Sequence, residues 1–141
     1  MKKRLYIIFS FISLMLLNSC NGSFEADTTP YHNDGLVSLY LVDENGRAYS
    51  SIPYLCNSMT RWDKTTSHGE FKFLAPERCK FDLLGLNGNY GDRFDEVVRI
   101  VDYRDNGQGR IDYNCQSFGI GSTDYDGSFD YNIDDECSFY L

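Results

Sequence analysis

An internal duplication constrains this sequence more than any other feature. Residues 52–83 carry a pattern that residues 111–141 repeat: Ile-x-Tyr-x-Cys, then Thr-x-x-x-Gly-x-Phe-x-Phe/Tyr, then Cys-x-Phe-x-Leu. The offset between the copies is 59 residues up to the first cysteine and 58 from the threonine onward, so one deletion aligns them. Self-similarity at a fixed spacing predicts that the chain folds as two related structural units.

The shared positions alternate with polar residues, as the inward and outward residues of a half-buried β-strand do. No window of the sequence has a sustained helical period. The sequence therefore predicts an all-β chain with two related four-stranded repeats, which form either one small β-sandwich or two tandem mini-sandwiches. The predicted strands are 36–42, 52–56, 70–74 and 79–83 in the first repeat, and 97–101, 111–115, 128–131 and 137–141 in the second.

Four of the five cysteines belong to the duplicated pattern: Cys56, Cys79, Cys115 and Cys137. Four cysteines allow three disulfide pairings. The copies keep similar spacings of 23 and 22 residues, which favours one bridge within each repeat over bridges between repeats. A unit this short buries little apolar surface, and each bridge would stabilise it by about 3 kcal/mol.

The N-terminus begins with basic residues and continues with a largely apolar run, which predicts a secretory signal peptide at 1–19. Leu17-Asn-Ser-Cys20 resembles the lipobox of bacterial lipoproteins. This resemblance implies that Cys20 carries lipid and anchors the chain in a membrane, with 20–35 as a polar tether. Asn21 after the cysteine implies the outer membrane, on its periplasmic or surface face. The alternative is an ordinary signal peptide in which Cys20 is incidental.

Charge is distributed unequally between the repeats. Without the signal peptide the chain has 10 basic and 21 acidic residues, a net charge of 10 − 21 = −11, which argues against nucleic acid as a partner. The first repeat (36–83) has 6 − 6 = 0, whereas the second (96–141), after a Gly/Asn-rich linker (84–95), has 3 − 10 = −7. The acidic surface suits cations or a basic partner, or serves solubility alone, which we favour.

The order Asp-x-x-Gly, Tyr-x-Cys, Thr-x-x-x-Gly-x-Phe, Cys-x-Phe-x-Leu resembles the small immunoglobulin-like or carboxypeptidase-regulatory-like β-sandwich repeats of bacterial surface proteins. The resemblance covers both copies. It implies immunoglobulin-like sandwich folding and a role as a spacer or ligand-binding module rather than as an enzyme.

Two groups of residues outside the shared pattern are candidate binding sites. Arg61 and Trp62 could form an aromatic platform for a sugar or a protein partner. The alternative, which we favour, is that Trp62 and its counterpart Ile120 fill equivalent ends of the core. Asp102, Asp105 and Asn106 are weak calcium candidates. Their segment fails the EF-hand pattern, so we favour a solvated turn there.

No catalytic motif, zinc-type ligand pair or phosphate-binding glycine loop is present in the sequence. We therefore predict no catalytic residue, no cofactor and no metal. The expected function is that of a non-catalytic, envelope-anchored lipoprotein that binds a protein or glycan ligand. The alternative is a structural accessory lipoprotein that docks on an envelope complex through its acidic second repeat.

Overall fold

The computed structural model describes residues 35–88 and 96–141 of the chain. Those residues form nine β-strands and no helix, which confirms the predicted all-β class. The strands are β1 (Val37–Val42), β2 (Pro53–Cys56), β3 (Asp63–Lys64), β4 (Glu70–Phe73), β5 (Arg78–Asp82), β6 (Arg99–Val101), β7 (Asp112–Cys115), β8 (Gly119–Ser122) and β9 (Glu136–Tyr140). The predicted signal peptide, Cys20, the tether up to residue 34, and linker residues 89–95 lie outside the described residues.

The strands form two antiparallel sheets that both repeats share. One sheet has the order β4-β1-β6, and the other has the order β3-β2-β5-β9-β7-β8. Their inward residues form one continuous cluster, in which Phe81 and Phe139 from different repeats lie 5.7 Å apart, centroid to centroid. The arrangement is consistent with a single β-sandwich. Within residues 35–88 and 96–141 the core does not divide into two mini-sandwiches, because one buried cluster includes residues of both repeats.

A pseudo-twofold axis relates the repeats. In the six-stranded sheet, Lys80 of β5 pairs with Ser138 of β9, which is its own counterpart in the duplication. In the three-stranded sheet, Leu41 of β1 pairs with its counterpart Ile100 of β6. Two antiparallel strands that place equivalent residues opposite each other are related by a local twofold axis. Both sheets therefore have repeat one on one side of this axis and repeat two on the other.

The shared threonine and glycine hold the same turn in both repeats. The buried Thr65 hydroxyl accepts a hydrogen bond from the Ile52 amide at 3.0 Å and donates to the Tyr49 carbonyl at 2.7 Å. Gly69 has φ +76°, and a Cβ there would lie 2.3 Å from the Leu41 carbonyl oxygen. The turn thus excludes every side chain at this position. The corresponding residues of repeat two repeat these contacts: Ile111, Gln108, Thr123, Gly127 and Ile100.

Both disulfides form within a repeat, as the spacing favoured. Cys56 is bonded to Cys79, and Cys115 is bonded to Cys137. In each case the two cysteines lie directly opposite each other on neighbouring antiparallel strands and point into the core. Disulfides persist in oxidising compartments, so these two indicate an extracytoplasmic location.

The predicted strands differ from the structure in two respects. The sequence did not predict β3 and β8, which form the outer edges of the six-stranded sheet. The prediction of a strand at 128–131 is wrong, because only Ser128 makes an isolated bridge, to Arg99. Its partner strand β6 has three residues whereas β1 has six, so no ladder continues past this bridge. Phe129 and Tyr131 nevertheless stay buried in the core.

Candidate functional site

A cleft of about 520 Å³ opens on the outer face of the three-stranded sheet. Along β1, Leu39 and Leu41 point into the core, so Tyr40 between them points outward. The cleft combines residues of both repeats beside the pseudo-twofold axis. Its lining includes Tyr40, Val42, His68 and Glu70 of repeat one, and Val101, Asp102, Tyr103 and Asp105 of repeat two.

The cleft offers hydroxyl, carboxylate and imidazole groups around an aromatic surface. Burial, and next the charge of Glu70, raises the pKa of the Tyr40 hydroxyl, which is therefore neutral at physiological pH. Glu70 also pairs with Lys72, with 3.9 Å between Nζ and Oε1. Tyr103 is 48% exposed at the rim. Two tyrosines with nearby carboxylates can pack against a ligand and accept its hydrogen bonds.

The pseudosymmetric counterpart of this cleft has different chemistry. Arg99 takes the position of Tyr40, and its Nε donates to the Asp126 carbonyl at 2.9 Å. Its Nη1 lies 3.5 Å from Asp105 Oδ1, so an ion pair occupies the region where repeat one has an aromatic ring. The duplication preserved the scaffold, whereas the outward residues diverged: Tyr40 lines the cleft, and its counterpart Arg99 is ion-paired with Asp105, which also lines the cleft.

Trp62 does not fill an end of the core, so the interpretation that we favoured from the sequence is wrong. Its side chain is 43% exposed, and its counterpart Ile120 is 83% exposed. The β2–β3 register continues to place Trp62 beside Leu55, which points outward between the buried Tyr54 and Cys56. Lys80 lies over the indole, with Nζ 5.2 Å from the ring centroid. Trp62 therefore lies on the surface, partly exposed, with Lys80 over its ring.

The weak calcium candidates do not converge on a common centre. Asp102 Oδ1 accepts hydrogen bonds from the amides of Arg104 and Asn106 at 2.8 and 2.9 Å, and Oδ2 accepts from Asn106 Nδ2 at 3.0 Å. Burial raises the pKa of Asp102, but the hydrogen bonds from Asn106 and Arg104 lower it by more, so the pKa lies below its usual value. Asp105 is engaged with Arg99. The geometry is that of the solvated turn that the sequence favoured.

The sequence did not predict the role of Asp135. This carboxylate is only 2% exposed, and it accepts hydrogen bonds from four main-chain amides, two at each oxygen. It joins the turn after β7 to the turn before β9. Glu77, its counterpart at the 58-residue offset, accepts from the amides of Ser58 and Leu74 at 2.7 and 2.6 Å. The sequence did contain a signal for this role, because each copy has an acid two residues before its second cysteine.

Two groups in the described residues have the geometry to hold a metal, and each includes one of these acids with a cysteine pair: Cys56, Glu77 and Cys79, and Cys115, Asp135 and Cys137. In both groups the cysteines are joined in disulfides, which removes the thiolates that a metal ion requires. Each acid therefore lies close to a cysteine pair because it holds the turns beside that disulfide.

Comparisons of the chain with protein-family models, with curated proteins and with solved structures find no match. Within residues 35–88 and 96–141, no helix has the length and apolar character needed to cross a membrane. What the described residues show is an all-β, disulfide-bonded chain with a cleft beside its pseudo-twofold axis.

Proposed function

We propose that this protein is an exported lipoprotein, anchored through lipid on Cys20, that binds a glycan or protein ligand without catalysing a reaction. The cleft on the three-stranded sheet carries this proposal. Its lining comes from both repeats and includes two tyrosines that have no aromatic counterpart in the duplication, since Arg99 matches Tyr40 and Glu44 matches Tyr103. The scaffold is shared between the copies, so the positions that diverged are the best candidates for ligand contacts.

The lining favours a ligand with many hydroxyl groups, so a glycan is the first class to test. Tyrosine rings pack against the C–H face of a sugar, and carboxylates accept hydrogen bonds from its hydroxyl groups. Glu70 and Asp105 lie on opposite repeats of the cleft, and a ligand hydroxyl would share their oxygens with the ion pairs to Lys72 and Arg99. The exposed Trp62 offers a second aromatic surface, on the outer face of the other sheet. In this proposal the titratable groups of the cleft bind the ligand and transfer no proton.

The experiment is a glycan-array screen with the Cys20→Ser protein, followed by calorimetric titration of any glycan that binds. Tyr103→Ala should weaken binding at least tenfold because it removes the ring at the rim of the cleft. Tyr125→Ala is the matched control: it also lies in repeat two and is 92% exposed, but it is outside the cleft. Unchanged binding by the Tyr103 variant, or equal losses in both variants, would contradict the assignment.

A second candidate function is docking on an envelope complex through repeat two. The observation that favours it is the net charge of −7 on residues 96–141. Protease treatment of intact cells separates the two roles. A surface-displayed binding module should be cleaved, whereas a periplasmic accessory protein should be cleaved only after the outer membrane is opened.

A further inference from the structure

The two edges of the six-stranded sheet differ in how they are protected. At the repeat-one edge, β3 has only two residues, Asp63 and Lys64, and both are charged and exposed. Short, charged edge strands prevent pairing with another chain. At the repeat-two edge, β8 has four residues, Gly119–Ser122, and none is charged. No strand of the described residues pairs with its outer side.

The connection before the edge strand is shorter in repeat two, by the single deletion and by two residues that join the β7–β8 ladder instead. Six residues connect β2 to β3, whereas three residues connect β7 to β8. The shorter connection lets the ladder start at Gly119, which has φ +105° and open space where a Cβ would be. The β7–β8 ladder therefore runs over four residue pairs, against two for β2–β3. Repeat two thus has a longer, uncharged edge where repeat one has a protected one.

The hydrogen-bond pattern shows which groups β8 presents to solvent. The Thr123 amide donates to the Ile111 carbonyl at 2.9 Å, which places Thr123 at a hydrogen-bonded position facing β7. In an antiparallel pair these positions alternate, so Gly121 and Gly119 also bond β7. The N–H and C=O groups of Ile120 and Ser122 therefore point away from the sheet. They form a row of about four donors and acceptors that an added strand can pair with.

The side chains beside this edge define the partner. Ile120 is 83% exposed on the outer face. Ser122 lies opposite Asp112, and its Oγ donates to Asp112 Oδ1 at 2.5 Å. A strand that paired with β8 would place one side chain beside Ile120 and another, two residues away, within reach of Asp112. The first position suits an apolar residue, and the second suits lysine or arginine.

We propose that β8 is a docking edge for an extended, cationic polypeptide segment, which adds a seventh strand to the sheet. The net charge of −7 on repeat two favours a basic segment. It also disfavours a second copy of this chain, whose β8 would bring an equally acidic surface to the same edge. The β8 edge belongs to a different sheet from the cleft, so failure of peptide binding at β8 would not contradict ligand binding in the cleft, and the reverse also holds.

The test uses the Cys20→Ser protein and a synthetic nonapeptide in which Lys or Ile alternates with Thr. Hydrogen exchange followed by NMR should show new protection at the amides of Ile120 and Ser122 when the peptide binds. A peptide with Glu in place of Lys should bind at least tenfold more weakly. Affinity for the Lys peptide should fall as salt is raised, because the contacts with repeat two are electrostatic.

Two variants at one position separate the edge from the side chain. Ile120→Pro removes an N–H that does not bond β7, so the fold should be retained while peptide affinity drops at least tenfold. Ile120→Thr keeps this N–H and should lose much less affinity. Full affinity in the proline variant, protection confined to other amides, or no binding at millimolar peptide would overturn the proposal. Dimerisation through β8 without peptide would overturn it as well.

Discussion

The buried carboxylate of Asp135 provides the sharpest test of how this sandwich is held together. Asp135→Ala would remove the acceptor of four main-chain hydrogen bonds. The donors are the amides of Ser117 at 2.9 Å, Phe118 at 3.0 Å, Asn132 at 3.2 Å and Glu136 at 3.0 Å. These amides lie in the turn after β7 and the turn before β9, which are also joined by hydrogen bonds from Asn132 to Ser117 and from Gln116 to Glu136, so the variant would weaken the link between the two turns.

These four contacts determine the expected loss of folding stability. A hydrogen bond to a charged group contributes about 1.5–3 kcal/mol of net stability. The four bonds are not additive because they share one charge and because water can reach part of both turns. We take the total as about two such bonds, so Asp135→Ala should lower the free energy of unfolding by about 3–6 kcal/mol. That is a large part of the roughly 5–15 kcal/mol typical of a domain.

The assay is equilibrium unfolding in urea with both disulfides intact, followed by Trp62 fluorescence and by far-UV circular dichroism. Glu77→Ala is the matched control, since this half-exposed acid has the equivalent position in repeat one but accepts from only two amides. It should cost about 1–2 kcal/mol. Asp135→Asn keeps one acceptor oxygen and should fall between the two alanine variants.

A cost of less than about 1 kcal/mol for Asp135→Ala, or of no more than that of Glu77→Ala, would exclude this carboxylate as a main support of the two turns. A lower unfolding midpoint with an unchanged denaturant slope would place the effect in folded-state stability. A changed slope would instead point to an altered unfolded state or to a loss of two-state behaviour.

Three further outcomes follow from the same structure. Gly127→Ala should cost about 4 kcal/mol or more in urea unfolding, because a Cβ there would lie 2.0 Å from a main-chain oxygen, whereas Gly85→Ala, with positive φ but open space, should cost about 1–2 kcal/mol. Replacing Cys115 and Cys137 by alanine should cost about 3 kcal/mol by the same assay, and an unchanged midpoint would contradict a stabilising bridge. The Ser128 hydroxyl, more than any other group, lowers the pKa of Asp126. The charged Asp126 carboxylate therefore stabilises the fold above about pH 4, and this contribution is lost as the pH falls below that value. Asp126→Asn should reduce the difference in stability between pH 7 and pH 3, and an unchanged difference would exclude this carboxylate as a cause.

Much of the scaffold was predictable because the duplication repeats its core. Alternating apolar residues gave the inward faces of β2, β5, β7 and β9, and the matched spacings favoured the correct disulfides. The edge strands β3 and β8 were not predictable in this way. Their residues are exposed or half-exposed, so they lack the apolar alternation by which a buried strand is recognised.

The candidate sites were predicted less well than the scaffold. The sequence indicates Asp102 and Asp105 as weak calcium candidates, but in the structure Asp102 holds a turn and Asp105 pairs with Arg99. For Tyr40 the sequence predicts only a place in a strand. Its place in a cleft depends on Tyr103, which is 63 residues away, and no local pattern connects the two.

The sequence by itself determined that the chain has two related β-repeats, because duplicated alternation specifies which face of each strand avoids water. Only the tertiary structure decided that the repeats share one core, since that depends on β5 pairing with β9 and β1 with β6. Pairing between distant strands is fixed by the packing of whole faces, which no short window of sequence records. The same packing set which outward residues would meet at the cleft and which edge would remain open.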